Sequence, residues 1–338
     1  TTSMSLPSPE RIFETFMAYQ RSAALKAAIE LDVFTGIGKG NQTVETLAEY
    51  SQAAPRGIRI LCDYLVTIGF LSKDDGNYAL APDSSAFLDR TSRAYLGSAT
   101  GMLCSPLLTN AFTDLTRTVR EGTTTLAGEG TVSPENPIWE DFARCMMPMM
   151  FPAAQFLAQF VPGKEPIRVL DIAAGHGLFG ITIAQRNTAA QVSAVDWRNV
   201  LAVAQENAQA MGVAGRYTTI PGDAFVVDWG SEYDVALLTN FLHHFDPPTC
   251  GALLRKVYES LKPGGMALTV EFVPNEDRVT PPAAAGFALT MLGTTRAGDA
   301  YTLAEYRQMF QKAGFNSPEL HPVPGTPSSV LISTRPFA

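Results

Sequence analysis

Hydrophobic and polar positions follow two different periods along the chain, and the change of period divides it into two parts. In the N-terminal third, apolar residues recur at helical spacing, first in the segment Arg11 to Glu30, which lacks glycine and proline. From Gly163 onward, short apolar runs alternate with helix-like segments; the runs are "IRVLD", "QVSAVD", "YTTIPGD", "YDVALLTN" and "MALTVEF". This alternation predicts parallel strands in a doubly wound α/β sheet.

The last part of the chain predicts a hairpin rather than another crossover. Two extended segments, Glu319 to Val323 and Ser328 to Thr334, follow the helix-like stretch "TLAEYRQMFQKAGF". Only a short turn with proline and glycine separates them, and parallel strands need a longer connection. We therefore expect these two segments to pair antiparallel.

The N-terminal part has the outline of a winged helix. After the first helix, the sequence reads as helix, turn, helix and then a hairpin around "KDDGN", in which Asp75 and Gly76 form the turn. Further helical segments follow, with the Gly/Thr-rich loop "EGTTTLAGEGTVSPENP" between them. We expect three regions: a winged-helix domain (1–95), a helical connector with substrate-pocket helices (96–162) and the α/β domain (163–338).

Charge argues against DNA as the partner of the winged helix. The whole chain has a formal net charge of −8. Between Asn41 and Arg90, four basic residues face seven acidic ones, and the wing tip is Asp74-Asp75. A reader of duplex DNA normally presents a basic face on its second helix and wing. We therefore expect the winged helix to pack on another protein surface, although a DNA-binding regulator with a ligand-sensing sheet remains an alternative.

Composition is that of an ordinary globular protein, with 46% hydrophobic and 17% charged residues. The four cysteines are widely spaced without a CxxC pair, which predicts buried thiols in a reducing compartment and no metal site. The most apolar stretch, "CMMPMMFPAAQFLAQFV", contains prolines and glutamines that make a transmembrane helix a poor interpretation. We expect a soluble cytoplasmic protein that does not contact a membrane.

The loop after the first α/β strand, "VLDIAAGHGLFG", is a cofactor site whose ligand the loop alone does not decide. Gly175, Gly177 and Gly180 satisfy the GxGxxG spacing of a nicotinamide dinucleotide site. Gly175 and Gly177 let the backbone come close to a ligand, and Asp196 ends the second strand where it can bind ribose hydroxyls. A nicotinamide-dependent oxidoreductase therefore remains an alternative at this point.

Three further features favour S-adenosylmethionine (SAM). Asp223 of "GDAF" can accept a hydrogen bond from an adenine amino group, while Ala224 and Phe225 touch the ring. Asp171 would repel a pyrophosphate but could meet the ammonium group of a methionine moiety. The turn "LKPGG" leads into the fifth strand.

With these motifs, and with "FLHHFDPPTC" and "AGDAYTLAEYRQMFQKAGF", the chain resembles the plant-type small-molecule O-methyltransferases and their bacterial relatives over nearly its whole length. The resemblance implies a Rossmann-like SAM-dependent methyltransferase domain, and a homodimer formed through the N-terminal winged helix. One departure is Ala173, which replaces the first loop glycine of the family. Bacterial relatives include C-methyltransferases, so the acceptor atom stays open between oxygen and carbon.

Methyl transfer to a hydroxyl needs a base, since a phenol has a pKa of about 10 and histidine, near about 6.5, is suited to accept its proton. The resemblance implies that His243 is this base, that Glu271 orients it and that Asp299 is a second acidic residue of the site. Two alternatives remain from the residues themselves. His243 could line the cofactor pocket without acting as a base, and Glu271 could be a solvated rim residue.

The complete set of expected site residues has two further groups. The cofactor-binding group is Asp171, Gly175, Gly177, Asp196, Trp197, Asp223, Ala224, Phe225, Thr239 and Asn240. The substrate-pocket group, in which flexible methionines can adapt to an irregular aromatic ligand, is Met146, Met147, Met150, Phe287 and Met291. The expected partner is a small, largely apolar aromatic or polyketide-like acceptor.

Overall fold

The computed structural model describes residues 7–337, and the chain divides into two compact units after Cys104. The predicted boundaries near residues 95 and 162 remain a prediction. The helices of the first unit are α1 (Glu10–Phe16), α2 (Ala18–Glu30), α3 (Val33–Gly38), α4 (Val44–Tyr50), α5 (Pro55–Thr67), α6 (Pro82–Phe87) and α7 (Thr100–Leu103). Its strands are β1 (Leu71–Asp74) and β2 (Asn77–Leu80).

The winged-helix outline is confirmed in this first unit. Helix α4 begins at a capping box made by Thr43 and Thr46, and α5 begins with Pro55 in its first turn. Strands β1 and β2 pair antiparallel around Asp75 and Gly76, whose φ angles of 44° and 81° suit a two-residue hairpin turn. The predicted helix over 11–30 is interrupted at Met17, so it forms the two helices α1 and α2.

The second unit is a seven-stranded sheet covered by helices. Its strands are β3 (Arg168–Ile172), β4 (Gln191–Asp196), β5 (Tyr217–Pro221), β6 (Tyr233–Thr239), β7 (Leu261–Glu271), β8 (Glu319–Pro322) and β9 (Ser329–Thr334). They lie in the order β5-β4-β3-β6-β7-β9-β8. The pairs from β5 to β7 are parallel, whereas β9 is antiparallel to both β7 and β8. The doubly wound sheet and the terminal hairpin are both as predicted.

The helices of the second unit are α8 (Pro106–Ala111), α9 (Leu115–Glu121), α10 (Ile138–Cys145), α11 (Met147–Ala158), α12 (Leu178–Arg186), α13 (Arg198–Ala210), α14 (Pro247–Ser260), α15 (Pro282–Thr294) and α16 (Leu303–Lys312). Successive strand residues face opposite sides, so Val169 belongs to one core cluster and Leu170 to the other. This two-sided burial explains the almost continuous apolar strands. Because β3 to β7 are parallel, their carboxyl ends meet at one edge, where a doubly wound sheet binds its ligand.

The Gly/Thr-rich loop before α10 is fastened to the end of α15. The Thr124 hydroxyl donates to the Gly293 carbonyl at 2.7 Å, and the Thr131 N–H donates to the Thr294 carbonyl at 2.9 Å. These bonds satisfy carbonyls that a helix end leaves without partners. The sequence predicts the loop, but not this attachment across more than 160 residues of chain.

Within residues 7–337, no helix combines the length and the apolar composition needed to cross a bilayer.

Candidate active site

The glycine loop between β3 and α12 has a left-handed backbone at three positions. Gly175 and Gly177 have φ angles of 58° and 77°, and Ala173 has a φ of 53°. A Cβ atom on Gly177 would lie 2.5 Å from the Tyr217 hydroxyl oxygen, so only glycine fits there. Ala173 therefore has a backbone conformation that glycine adopts more easily.

Asp196, at the end of β4, is bonded directly to this loop. Its Oδ2 accepts the Gly175 N–H at 2.9 Å, and its Oδ1 accepts the Trp197 N–H at 2.7 Å. Burial raises the pKa of Asp196 to about 6, against the effect of these two donors. A carboxylate can accept about four hydrogen bonds, so both oxygens can still receive ribose hydroxyls.

Asp171, at the end of β3, lies below the loop and is only 1% exposed. Its Oδ2 accepts the Gly180 N–H at 3.3 Å, while its Oδ1 has no hydrogen-bond partner among residues 7–337. Burial raises the pKa of Asp171 to about 8, and the nearby Asp196 adds to the shift. A cationic group would stabilise the ionised carboxyl group here.

The segment after β5 contains the expected adenine-binding residues. Its first amide, on Gly222, donates to the Asp196 carbonyl at 3.0 Å, so the segment starts beside Asp196. Asp223 Oδ1 accepts the Phe225 N–H at 2.8 Å, and the half-buried Phe225 ring packs edge-to-face on Phe245 at 5.0 Å. Asp223, Ala224 and Phe225 therefore form one short turn at the edge where the sheet binds its ligand.

The end of β6 places Thr239 and Asn240 at the same edge. Thr239 is buried, and Asn240 has a φ of 53° with its N–H bonded to the Val270 carbonyl. The Asn240 amide nitrogen lies 3.6 Å from the Met150 sulfur, while the Asn240 Oδ1 has no hydrogen-bond partner in the part of the chain that the structure describes. A buried acceptor without a donor is a natural contact for a ligand N–H or O–H group.

His243 and Glu271 form a buried pair at the ends of β6 and β7. The His243 Nδ1 lies 2.5 Å from Glu271 Oε2, and the His243 backbone N–H donates to Glu271 Oε1 at 3.3 Å. The side chains are 4% and 0% exposed. Glu271 is therefore not a solvated rim residue: it binds both the ring and the backbone of His243.

Asp299 is brought to His243 through its backbone. The Asp299 N–H donates to the His243 carbonyl at 2.9 Å, whereas its own Oδ1 accepts the Ala300 N–H. A Cβ on the preceding Gly298 would lie 2.3 Å from the His243 carbonyl oxygen, so this approach requires glycine. The structure brings the backbones of these two residues together, whereas the Asp299 carboxylate accepts the N–H of the next residue in the chain.

Aromatic rings enclose the His243 imidazole. Phe287 of α15 packs edge-to-face on it at 4.7 Å, and Phe272 stacks on Phe287 at 4.1 Å. Of the expected pocket methionines, Met146 and Met291 are buried, while Met147 and Met150 are partly buried against the core cluster that includes Val169. Phe287 is thus the expected pocket residue that lies against the histidine itself.

Sequence reasoning missed the two aromatic residues of α10. Trp139 stacks on His244 at 5.0 Å, and Phe142 stacks on His176 of the glycine loop at 5.6 Å. Trp139 and Phe142 are three residues apart, which places both rings on one face of a helix. This spacing is the sequence signal that could have identified them. Helix α10 therefore contacts both the glycine loop and the turn that contains His243 and His244, called here the histidine turn.

Burial disfavours a positive charge on the two imidazoles that α10 covers. Burial lowers the pKa of His176 to about 4. The pKa of His244 lies well below its ordinary value, mainly because the ring is buried and secondly because His243 is close. His176 Nδ1 accepts the Leu178 N–H, which puts the ring proton on Nε2. Within the described residues, neither His176 Nε2 nor His244 Nδ1 has a hydrogen-bond partner.

Comparison with known sequence families gives two separate matches along the chain. Residues 153–316 match an O-methyltransferase domain, and residues 13–90 match an O-methyltransferase dimerisation domain. The tetracenomycin polyketide synthesis 8-O-methyl transferase of Streptomyces glaucescens is 25% identical, with 97% of each chain covered.

Comparison with solved structures gives the same fold. A Nostoc punctiforme protein with a provisional O-methyltransferase assignment is 53% identical, with 97% of this chain and 100% of that chain covered and a TM-score of 0.95. Human N-acetylserotonin methyltransferase, solved with SAM, is 22% identical with both chains fully covered and a TM-score of 0.85, a likeness of fold.

Proposed function

Since this chain belongs to the O-methyltransferase family whose members combine a dimerisation domain with a methyltransferase domain, we propose that it methylates a hydroxyl oxygen of a small aromatic or polyketide-like metabolite, with His243 as the general base. The polyketide acceptor of the Streptomyces relative supports this substrate class. The buried pair of His243 and Glu271 is the observation that carries the assignment of the base.

Family membership makes the protein a SAM-dependent methyltransferase, so the nicotinamide alternative raised by the glycine spacing is wrong. Bound SAM supplies a methyl carbon activated by a sulfonium and a neutral thioether leaving group. The residues at the sheet edge fit it: Asp196 has lone pairs for ribose, the loop at Gly175 permits close approach, and Asn240 Oδ1 is an unused acceptor. We propose that these residues and the Asp223 turn hold the cofactor.

The pair of His243 and Glu271 can accept and stabilise a proton. Glu271 accepts the Nδ1 proton of His243, which leaves Nε2 as the nitrogen that can take a proton from the acceptor hydroxyl. As the O–H bond breaks, the ring becomes an imidazolium, and the adjacent carboxylate compensates its charge. Phe287 and Phe272 exclude water from this ring and offer an apolar surface to an aromatic acceptor.

We also propose that the first unit binds a second copy of the chain rather than nucleic acid. Helix α1 exposes Ile12, Phe13 and Phe16 by more than half of their surface. On the second helix of the winged-helix motif, Asp63 binds Lys73 at 2.6 Å and Arg59 at 3.3 Å. These cations are thus already paired, whereas an apolar helix face needs a protein partner.

The test is turnover of His243→Gln and Glu271→Gln with SAM and a panel of hydroxylated aromatic and polyketide acceptors, followed by mass spectrometry. We expect His243→Gln to lower kcat by about 100-fold or more, because proton transfer by a positioned base contributes at least that factor. Glu271→Gln should reduce kcat less, since it removes only the orienting charge.

Two measurements complete this test. The matched control is His321→Gln, which changes a part-exposed histidine on β8 and should leave kcat unchanged. Calorimetry should give the same affinity for S-adenosylhomocysteine (SAH) in all variants. Full turnover by His243→Gln would remove the base assignment, and NMR of the product would show whether the methyl group is on oxygen or carbon.

A further inference from the structure

One lysine of α14 reaches into the segment that follows β5. The Lys256 Nζ donates to the Ala224 carbonyl at 2.9 Å and to the Val227 carbonyl at 2.6 Å. These two carbonyls belong to the turn that contains Asp223 and Phe225. A single ammonium group therefore binds the turn at two points, and hydrogen bonds from a charged donor are stronger than neutral ones.

The same ammonium is fixed from its other side. It lies 3.7 Å from the centroid of the Trp229 ring, and Trp229 is buried. The indole N–H of Trp229 donates to the Ser260 hydroxyl at 2.6 Å, and that hydroxyl donates to the Lys256 carbonyl at 2.8 Å. The lysine, the indole and the serine thus form one connected group, in which α14 holds both ends of the segment from Ala224 to Trp229.

The N–H groups of this turn and its carbonyl groups have different hydrogen-bond partners. The N–H groups of Phe225, Val226 and Val227 all point to Asp223, through Oδ1 for the first and the backbone carbonyl for the others. The carbonyls of Ala224 and Val227 face Lys256 instead. Among residues 7–337, Lys256 is the only donor to these two carbonyls. Removing its ammonium group would therefore leave both carbonyls without a donor from these residues.

We propose that Lys256 is a positioning residue for the adenosyl half of the cofactor: by binding the Ala224 and Val227 carbonyls, it holds Asp223 and Phe225 in the orientation that receives the adenine ring. This inference rests on the proposed placement of the adenine at the Asp223 turn. It assigns to α14 a part in cofactor affinity, although Lys256 itself binds backbone rather than ligand.

Lys256→Met tests the proposal because it retains the apolar stem and removes the charge. We expect calorimetry to show about 10-fold weaker SAH binding, which corresponds to losing hydrogen bonds from a charged donor. The KM for SAM should rise by a similar factor, while kcat stays within about twofold because His243 is untouched. Hydrogen exchange of the Phe225, Val226 and Val227 amides should become faster.

Three further variants separate this role from a general loss of stability. Lys256→Arg retains a cationic donor and should recover most of the affinity. Lys262→Met is the matched control, because the Lys262 Nζ binds Asp234 at 2.8 Å and no carbonyl of the turn; SAH binding should be normal. Asp223→Ala tests the adenine placement directly and should weaken SAH binding.

The outcomes are distinct. Normal SAH binding by Lys256→Met overturns the proposal, and if Asp223→Ala binds weakly at the same time, the adenine placement survives that failure. Normal binding by both variants removes the placement and the proposal together, without affecting the methyl transfer that wild-type turnover measures. Equal loss in Lys256→Met and Lys262→Met also overturns the proposal, since the effect would not depend on the turn. If Lys256→Met does not fold, Lys256→Arg decides the test. Unchanged amide exchange in the turn and unchanged SAH affinity in Lys256→Arg would support the proposal, whereas weakened SAH affinity would oppose it.

Discussion

At the scale of single residues, Asp171 makes the stability of the protein depend on pH. Its carboxyl group is buried with one N–H donor and no cation, and its pKa is raised to about 8, whereas an unfolded aspartate titrates near about 3.9. Between these values the folded state holds a proton that the unfolded state has lost. The free energy of unfolding therefore falls as pH rises through this window, by about 1 kcal/mol per pH unit for this group.

Asp171→Asn should remove this dependence while retaining an oxygen that accepts the Gly180 N–H. We expect the variant to gain stability relative to the wild type as pH rises from 5 to 8, measured by urea denaturation without ligand. Burial lowers the pKa of His176, so its protonation in the unfolded state lowers the free energy of unfolding as pH falls. This effect is present in both the wild type and the variant. Parallel stability curves for the two proteins would contradict the burial of an unpaired carboxyl group.

Sequence reasoning located the residues that follow directly from strand topology. Four of the expected site residues lie at the carboxyl ends of parallel strands, so the order of elements along the chain predicts that they lie near one another: Asp171, Asp196, Thr239 and Glu271. The orientation of a side chain does not follow in this way. Asp299 was expected from the family resemblance and not from strand topology. Its carboxylate accepts the neighbouring Ala300 N–H, because a carboxylate in a turn has several N–H donors nearby.

At the scale of elements, α10 is the part of the site that the sequence predicted least well. The expected pocket residues of this region were Met146, Met147 and Met150, which follow α10. The aromatic residues of α10 itself, Trp139 and Phe142, lie on the two buried histidines. These contacts join segments that are far apart along the chain, and helical periodicity carries no information about which partner a helix face meets. Packing, and not pattern, decides them.

Trp139 should control how well α10 covers the histidine turn. Its ring stacks on His244 and its N–H donates to the Thr131 carbonyl at 2.7 Å. We expect Trp139→Leu to lower kcat/KM for the acceptor by about 10-fold, because a loosened helix admits water beside His243. Trp139→Phe, which retains a ring but not the N–H, should lose less. Steady-state kinetics measures both, and equal activity in all three proteins would show that the stack does not matter.

At the scale of the whole molecule, the exposed apolar face of α1 is the feature that a monomer leaves unexplained. Phe13 and Phe16 are 61% and 69% exposed, and residues 13–90 match a dimerisation domain. A stable dimer interface buries at least about 1,200 Å² in total and places aromatic residues at its centre. The sequence predicts the winged helix, and its acidic wing tip, Asp74-Asp75, favours a protein partner over DNA.

The double variant Phe13→Asp with Phe16→Asp should be monomeric, while the wild type should be a dimer by sedimentation velocity. Two buried carboxylates on each subunit would oppose association strongly. The control is Val119→Asp, which places a charge on α9 at a residue 61% exposed and outside the matched dimerisation domain. A dimeric double variant, or a monomeric wild type, would contradict the proposed interface.

The attachment of the Gly/Thr-rich loop to α15 also sets an order of events during synthesis. Thr124 and Thr131 bind carbonyls of residues that leave the ribosome more than 160 positions later. Contacts between such distant segments form late, because the intervening chain must first be ordered. Until α15 is made, Thr131 is not anchored, so the Trp139 N–H lacks its fixed acceptor in the nascent chain. The cover of the candidate active site is therefore completed only after the parallel strands β3 to β7 have been synthesised.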